Sequence, residues 1–256
     1  MERKRPLCTA ILLAGGSGKR MGSHKPKQFL EVAGKPLIWY SLNALEKSKT
    51  VDNCILVVAE KDIPYVREDI LKTNKFTKVR AVTEGGRERF ESVWKGLQCL
   101  KRTLKSGENI SSEIILIHDG ARPFLTEEVL ERCCLNAEEY GACVAAVPSK
   151  DTITVSDKEG FERVTPNRKY VWNVQTPQAF RRDILFSAFD RLAEDLEKAD
   201  SLEEMDWITD DASVVQHYTD VKIRLVQGDY RNIKVTTPED LSVAEGFLTH
   251  DSINIQ

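Results

Sequence analysis

Between Ala10 and Leu30 the sequence reads AILLAGGSGKRMGSHKPKQFL, a short apolar run followed by a cluster of glycines and then cations. Gly15, Gly16 and Gly18 let backbone amides approach an anion with no Cβ in the way. Arg20 and Lys27 follow, and Pro26 restricts the backbone just ahead of Lys27. Extra cations on a loop already rich in amides suit a triphosphate, whose leaving pyrophosphate gathers negative charge. The plainer alternative is a solvated glycine turn with surface lysines. Two familiar phosphate loops are excluded by letter. The dinucleotide fingerprint G-x-G-x-x-G meets Met21 where its third glycine belongs, and the Walker loop G-x-x-x-x-G-K-[ST] meets Leu13 at its start and Arg20 at its end.

Other chemistry-bearing residues stand at the ends of apolar runs. Asp119 closes IILIHD, at the edge where open α/β sheets bind ligands, and its carboxylate is a hard ligand suited to Mg2+. Helix capping is the structural alternative for it. His118 reads as a packed residue, since Mg2+ prefers oxygen. Arg122 follows at the same edge. EGGRERFES places Gly85 and Gly86 after another apolar run and then Ser92, with glycines allowing close backbone approach or simply making a strand-to-helix turn. Lys234 lies between the last apolar run and a helix start. No CxxC or paired Cys/His spacing marks a zinc site, and the six cysteines sit mostly inside apolar runs, as buried thiols in a reducing compartment do.

These residues need a frame. Apolar runs begin at Cys8, Cys54, Lys78, Glu113, Cys143 and Lys222, several of them apolar on both faces, which predicts parallel strands covered on both sides. Helical spacing lies between them: Ile38, Leu42 and Leu45 share one face, and Val93, Leu97 and Leu100 another. Thr126 before Glu127 and Glu128, and Thr237 before Pro238, read as helix starts. The alternation predicts an α/β, Rossmann-like doubly wound, mostly parallel sheet. DTITVSDKEGFERVTPNR, Asp151 to Arg168, instead alternates about a turn at Asp157–Gly160 and predicts a protruding β-hairpin arm. Such an arm has too little core of its own, so it must fold onto the body or embrace another subunit.

With 256 residues, 41% of them hydrophobic and 30% charged, the chain reads as a single domain, 1–256, with the arm at 148–176 inside it. A formal net charge of −3 argues against binding nucleic acid by bulk electrostatics. The basic start MERKRP runs into a short apolar stretch and a glycine turn, which fits a buried first strand better than a secretory signal. No segment has the roughly 18 apolar residues of a membrane span. A cytoplasmic protein is expected.

The stretch LLAGGSGKRMGSHKPKQFLEVAGKPLI resembles the signature of sugar-phosphate nucleotidyltransferases. HDGARPF from His118, KDTI from Lys150, VQTPQAF from Val174, TDDAS from Thr209 and NIKVTTPEDL from Asn232 narrow the likeness. In order, over Cys8 to Leu248, these motifs resemble the 2-C-methyl-D-erythritol 4-phosphate cytidylyltransferase family of the non-mevalonate isoprenoid pathway. The resemblance implies transfer of CMP from CTP to the alditol phosphate with release of pyrophosphate and with Mg2+ as cofactor. It implies catalytic roles for Arg20, Lys27 and Lys234 and a metal ligand in Asp119. Nucleotide contacts fall on Leu13, Ala14, Gly15, Gly16, Ser17, Gly18, Gly85, Gly86, Arg87, Ser92 and Gly120. Substrate contacts fall on Arg122, Thr152, Arg168, Thr176 and Thr209, with Thr152 and Arg168 reaching a neighbour's site from the arm of a homodimer. Thr209 has capping the following helix as its alternative. The nearest rival is ribitol-5-phosphate cytidylyltransferase, with the same loop and chemistry, and a more distant one is a non-catalytic binding domain of the same fold. A nicotinamide oxidoreductase is disfavoured by the failed fingerprint.

Overall fold

The computed structural model describes residues 5–16, 25–105, 111–198 and 205–253, with side chains as far as Thr249. Its first strand, β1 (Cys8–Ala14), shows why the chain folds in layers. Cys8, Ala10 and Leu12 face one apolar cluster and Ile11 the opposite one, so successive residues need cover on both faces.

The chain then runs through a small hairpin, β2 (Glu31–Val32) and β3 (Lys35–Pro36), and α1 (Leu37–Lys47) to β4 (Asn53–Val58). A short helical passage containing α2 (Ile63–Tyr65) leads to β5 (Val79–Glu84), α3 (Arg89–Lys105) and β6 (Ile114–Asp119). Next come α4 (Glu127–Tyr140), β7 (Ala142–Pro148), the arm strands β8 (Val155–Ser156) and β9 (Glu162–Val164), and β10 (Trp172–Arg181). The chain ends with α5 (Arg182–Leu196), α6 (Asp211–Tyr218), β11 (Arg224–Gln227) and α7 (Pro238–Ile253). Seven strands form one sheet in the order β11-β7-β10-β6-β1-β4-β5. All neighbours are parallel except β10, which is antiparallel to both β6 and β7.

Side chains from α1 and α4 fill one face of the sheet, including Ile38, Leu42, Leu45, Val129 and Cys133. The other face takes α3, α5 and α6 through Val93, Leu97, Phe189 and Val215. The six expected strands are present, and all six cysteines are buried free thiols. β10 is the strand that periodicity does not announce, because Gln175, Thr176, Pro177 and Gln178 interrupt its apolar pattern. Its pairing with β7 shifts between Val174 and Gln178, and that irregularity points Thr176 toward the end of β6.

The arm is a hairpin turning at Asp157–Gly160, where Asp157 Oδ1 accepts from the N–H groups of Glu159 and Phe161. Pro148 and Trp172 pair within the main sheet, so the ends of the 148–176 span belong to β7 and β10. The arm does not fold back onto the body: Val155, Phe161 and Val164 are 48%, 69% and 54% exposed. Among the described residues no helix is long and apolar enough to cross a membrane.

Candidate active site

The first strand departs toward β4 on one side and the chain later returns to β6 on the other, so the carboxyl ends of β1 and β6 flank the point where strand order reverses. Leu13 and Asp119 are register partners there. Ligands of open α/β sheets settle in this crevice. Two adjoining hollows occupy it. One, of about 400 Å3, is lined by Leu13, Ala14, Gly15, Gly16, Lys27, Gly86, Arg87, Ser92, Asp119 and Lys234, among others. The second, of about 330 Å3, includes Arg122, Thr176, Gln178, Thr209 and Asp210. Arg89, Asp119 and Lys234 line both.

Asp119 is the hinge between them and is almost buried, with its side chain 10% exposed. Oδ2 lies 2.8 Å from Lys234 Nζ and Oδ1 lies 3.3 Å from Arg89 Nε, while Arg122 Nε stands 4.0 Å from Oδ2. Burial alone would raise this carboxyl's pKa, but Arg89, Lys234 and Arg122 together hold it far below the usual carboxylate range. Asp119 caps no helix, since α4 begins eight positions further on with Thr126 accepting from Val129 N–H.

A relay of hydrogen bonds fixes the loop that carries Asp119 and Arg122. The Asp119 N–H donates to Thr176 Oγ1 at 3.1 Å, and Thr176 Oγ1 meets His118 Nδ1 at 3.0 Å. His118 Nε2 lies 3.1 Å from the Arg122 carbonyl. A carbonyl only accepts, so Nε2 carries the proton, Nδ1 accepts and the threonine hydroxyl donates. Burial pushes the His118 pKa down to about 4, which keeps the ring neutral. With both nitrogens engaged, His118 sets geometry and offers no proton.

The segment before α7 supplies the two lysines' support. Asn232 is fully buried and donates through Nδ2 to the Thr176 carbonyl at 2.8 Å, and Arg122 Nη1 donates to the Asn232 carbonyl at 2.7 Å. Val235 N–H donates to the Ala121 carbonyl at 2.8 Å, which seats Lys234 over Asp119. Lys27 Nζ reaches the Val235 carbonyl at 3.3 Å. Val32, Leu37, Val235 and Ala244 pack beneath as a small apolar cluster of their own.

The glycines divide by cause. A Cβ on Gly16 would meet nothing within 4 Å, leaving its face open to the hollow, whereas one on Gly86 would collide with the Glu91 Cβ at 2.2 Å. Gly86 N–H already donates to Ser92 Oγ and Arg87 N–H to Glu91 Oε2, so these amides seat the turn against α3. Gly85 faces a neighbouring hollow with Trp94 and Lys95, and Gly120 is packed against the Leu13 carbonyl, to which its N–H donates. Thr209 does not cap α6: Asp210 does, in a capping box with Ser213. Thr152 and Arg168 lie exposed on the arm side and line neither hollow, with Arg168 Nη1 donating to the Lys150 carbonyl at 3.3 Å. Ser17, Gly18 and Arg20 lie outside the described residues.

Sequence reasoning missed Arg89 and Asp211. Arg89 Nη1 and Nη2 lie 2.7 and 2.8 Å from the two carboxylate oxygens of Asp211, whose side chain is 1% exposed. Arg89 lies in EGGRERFES, which reads as a nucleotide-side stretch or a strand-to-helix turn, and its partner lies 122 positions away. Gln178 lies within VQTPQAF. It donates to Asp210 Oδ2 at 2.7 Å and accepts from the Ala212 N–H at 3.0 Å, which seats α6.

The model of one known family, IspD, 2-C-methyl-D-erythritol 4-phosphate cytidylyltransferase, matches residues 8–250. The enzyme of that name from Lachnospira eligens is 46% identical over 240 residues, covering 94% of this chain and 98% of its own. The one from Lachnoclostridium phytofermentans is 43% identical, covering 94% and 95%. Among solved structures, 4-diphosphocytidyl-2C-methyl-D-erythritol synthase from Anaerococcus prevotii aligns with a TM-score of 0.77 at 30% identity, covering 95% of this chain and 96% of that one. On a family match over residues 8–250 and relatives this similar over nearly their whole length, the chain belongs to the 2-C-methyl-D-erythritol 4-phosphate cytidylyltransferase family.

Proposed function

We propose that this cleft transfers the CMP unit of CTP to 2-C-methyl-D-erythritol 4-phosphate, giving the CDP-alditol and pyrophosphate. The observation that carries the proposal is Asp119 at the junction of two hollows, flanked by Lys234, Arg89 and Arg122. The hollow with Leu13 to Gly16, Gly86, Arg87 and Ser92 takes the nucleotide, and that with Arg122, Thr176 and Thr209 takes the alditol phosphate. Gly85 and Gly120 shape the nucleotide side from behind.

The nucleophile needs no activation. A phosphate monoester has its second pKa near 6, so at neutral pH it is largely a dianion. One of its oxygens bonds to the α-phosphorus while the bond from that phosphorus to the bridging oxygen of the β-phosphate breaks. The electron pair leaves with pyrophosphate, and no proton has to move. The neutral, doubly engaged His118 suits a reaction that asks for no base. Lys27 and Lys234 offset charge on the phosphates, and Arg122 holds the incoming phosphate. Arg20 joins them on the reading of the motif.

The residues fit a divalent cation shared with substrate. Among the described residues no three His, Cys, Asp or Glu side chains cluster to form a protein-only cage, whereas Asp119 presents one hard carboxylate beside space for phosphates. Mg2+ is commonly held in this way, by one or two carboxylates and substrate oxygens. When bound it supplies Lewis-acid polarisation of the α-phosphate.

The proposal extends to a single domain over 1–256 and to a homodimer. The exposed Val155, Phe161 and Val164 give the arm an apolar side to bury, and Thr152 and Arg168 are then available to a partner's alditol phosphate. Six buried free thiols suit a reducing cytoplasm. The test is pyrophosphate release from CTP with each alditol phosphate offered separately. Turnover with 2-C-methyl-D-erythritol 4-phosphate far above that with ribitol 5-phosphate is expected. The reverse order overturns the substrate assignment, and no release with any nucleotide overturns the reaction.

A further inference from the structure

The two oxygens of Asp119 have unlike partners. Oδ1 meets Arg89 Nε at 3.3 Å, and Oδ2 meets Lys234 Nζ at 2.8 Å. Arg89 is not free to turn. Its two terminal nitrogens are spent on the buried Asp211 carboxylate at 2.7 and 2.8 Å, and a planar guanidinium held at both ends has a fixed direction left for its Nε–H. That direction is toward Asp119. Asp211 is itself set by α6, whose start is capped by Asp210 and seated on β10 through Gln178. At the other end Arg89 opens α3, next to the Gly86 turn, and it lines both hollows. Lys234 is different. Its ammonium is a point charge on a flexible stem, 38% exposed, and it can move without disturbing packed neighbours.

We propose that Arg89, gripped by Asp211, is a positioning residue that fixes Oδ1 of Asp119 and reserves Oδ2 as the oxygen that exchanges Lys234 for a divalent cation when the nucleotide binds. The inference rests on the reading of Asp119 as a cation ligand. It assigns Arg89 no contact with the reacting atoms. By holding one oxygen still, the Asp211–Arg89 pair lets a single carboxylate present the other in a defined direction. It also ties the nucleotide side, through α3, to the alditol side, through α6.

The test uses Mn2+ as probe, titrated into full-length protein with saturating CTP and followed by electron paramagnetic resonance, beside the Mg2+ dependence of turnover. Arg89→Lys keeps the charge but cannot serve both carboxylates. Partners behind a metal ligand typically carry about 10- to 100-fold in metal affinity or activity. Arg89→Lys is therefore expected to weaken Mn2+ binding by at least about tenfold and to raise the Mg2+ requirement in step. At saturating metal, KM for the alditol phosphate should move far less. Asp211→Asn, which loosens the grip but leaves Arg89 in place, should shift both readouts in the same direction, and it decides the matter if Arg89→Lys does not fold. Wild-type Mn2+ affinity in the folded variants overturns the inference. Asp119→Asn separates the two readings. Loss of the Mn2+ site in Asp119→Asn alone leaves the ligand reading standing and sinks the role of Arg89, whereas retention of the site in Asp119→Asn sinks the ligand reading itself.

Discussion

Around Asp119 three cations, Arg89, Arg122 and Lys234, face two carboxylates, Asp119 and Asp211, and Lys27 stands on the rim of the same hollow. That surplus of positive charge is matched to phosphates, and it gives each lysine a testable task. Lys27 lines the hollow and reaches the Val235 carbonyl at 3.3 Å, so Lys27→Ala should leave the melting temperature near that of the parent. Turnover should fall by roughly 100- to 1,000-fold, the usual loss when one preorganised group at a developing charge is removed. Steady-state kinetics and thermal melting check both halves. The residues legible in the sequence were those whose type announces chemistry at a strand end: Asp119, Lys234, Arg122 and the glycine loop. Arg89 was not, because its meaning depends on a buried aspartate that arrives with α6. His118 reads as a packed residue in the sequence, and the structure adds that its packing is a hydrogen-bonded relay to the Asp119 backbone.

Elements place these residues through a few long-range ties. One is Glu127 at the start of α4, whose Oε1 accepts from the N–H groups of Lys49 and Thr50 and from the Thr50 hydroxyl, joining α4 to the loop between α1 and β4. Burial pushes the Glu127 carboxyl up, but hydrogen bonds from Ser48, Thr50 and Lys49 hold it net below its ordinary value. A depressed carboxyl binds fewer protons folded than unfolded. Its stabilisation is therefore complete above the ordinary glutamate pKa near 4.3 and is lost as pH falls through the lower folded value. Glu127→Gln should melt a few degrees below the parent near neutral pH, and the gap should narrow toward about pH 3. A gap that widens on acidification would contradict the assignment. Periodicity disclosed the central parallel strands because β1, β4, β6 and β7 are apolar on both faces, and it disclosed α1 and α3 because their stripes are clean. It did not disclose β10, where polar residues and Pro177 serve the site at the expense of the pattern. Capping α6 is the structural alternative for Thr209, but Asp210 takes the cap and Thr209 lines the second hollow.

At the scale of the whole molecule, the mostly parallel sheet follows from the order of apolar runs, and the hairpin from alternation about the turn at Asp157–Gly160. If Arg168 serves the partner's cleft while Lys27 serves its own, inactive Lys27→Ala and Arg168→Ala preparations should regain activity when unfolded together and refolded. Random pairing puts one intact site in half the dimers, so recovery should approach about a quarter of the parent's activity. No recovery, with dimers present by sedimentation, would mean that each site draws Lys27 and Arg168 from the same chain. The reaction itself makes a sharper demand. Direct attack of the alditol phosphate on the α-phosphorus is a single displacement, with no protein nucleophile between. Stereochemical analysis of the CDP-alditol made from one diastereomer of α-thio CTP tests this most directly. Inversion at phosphorus is the predicted result, and retention, the mark of a covalent nucleotidyl-enzyme, would contradict direct transfer.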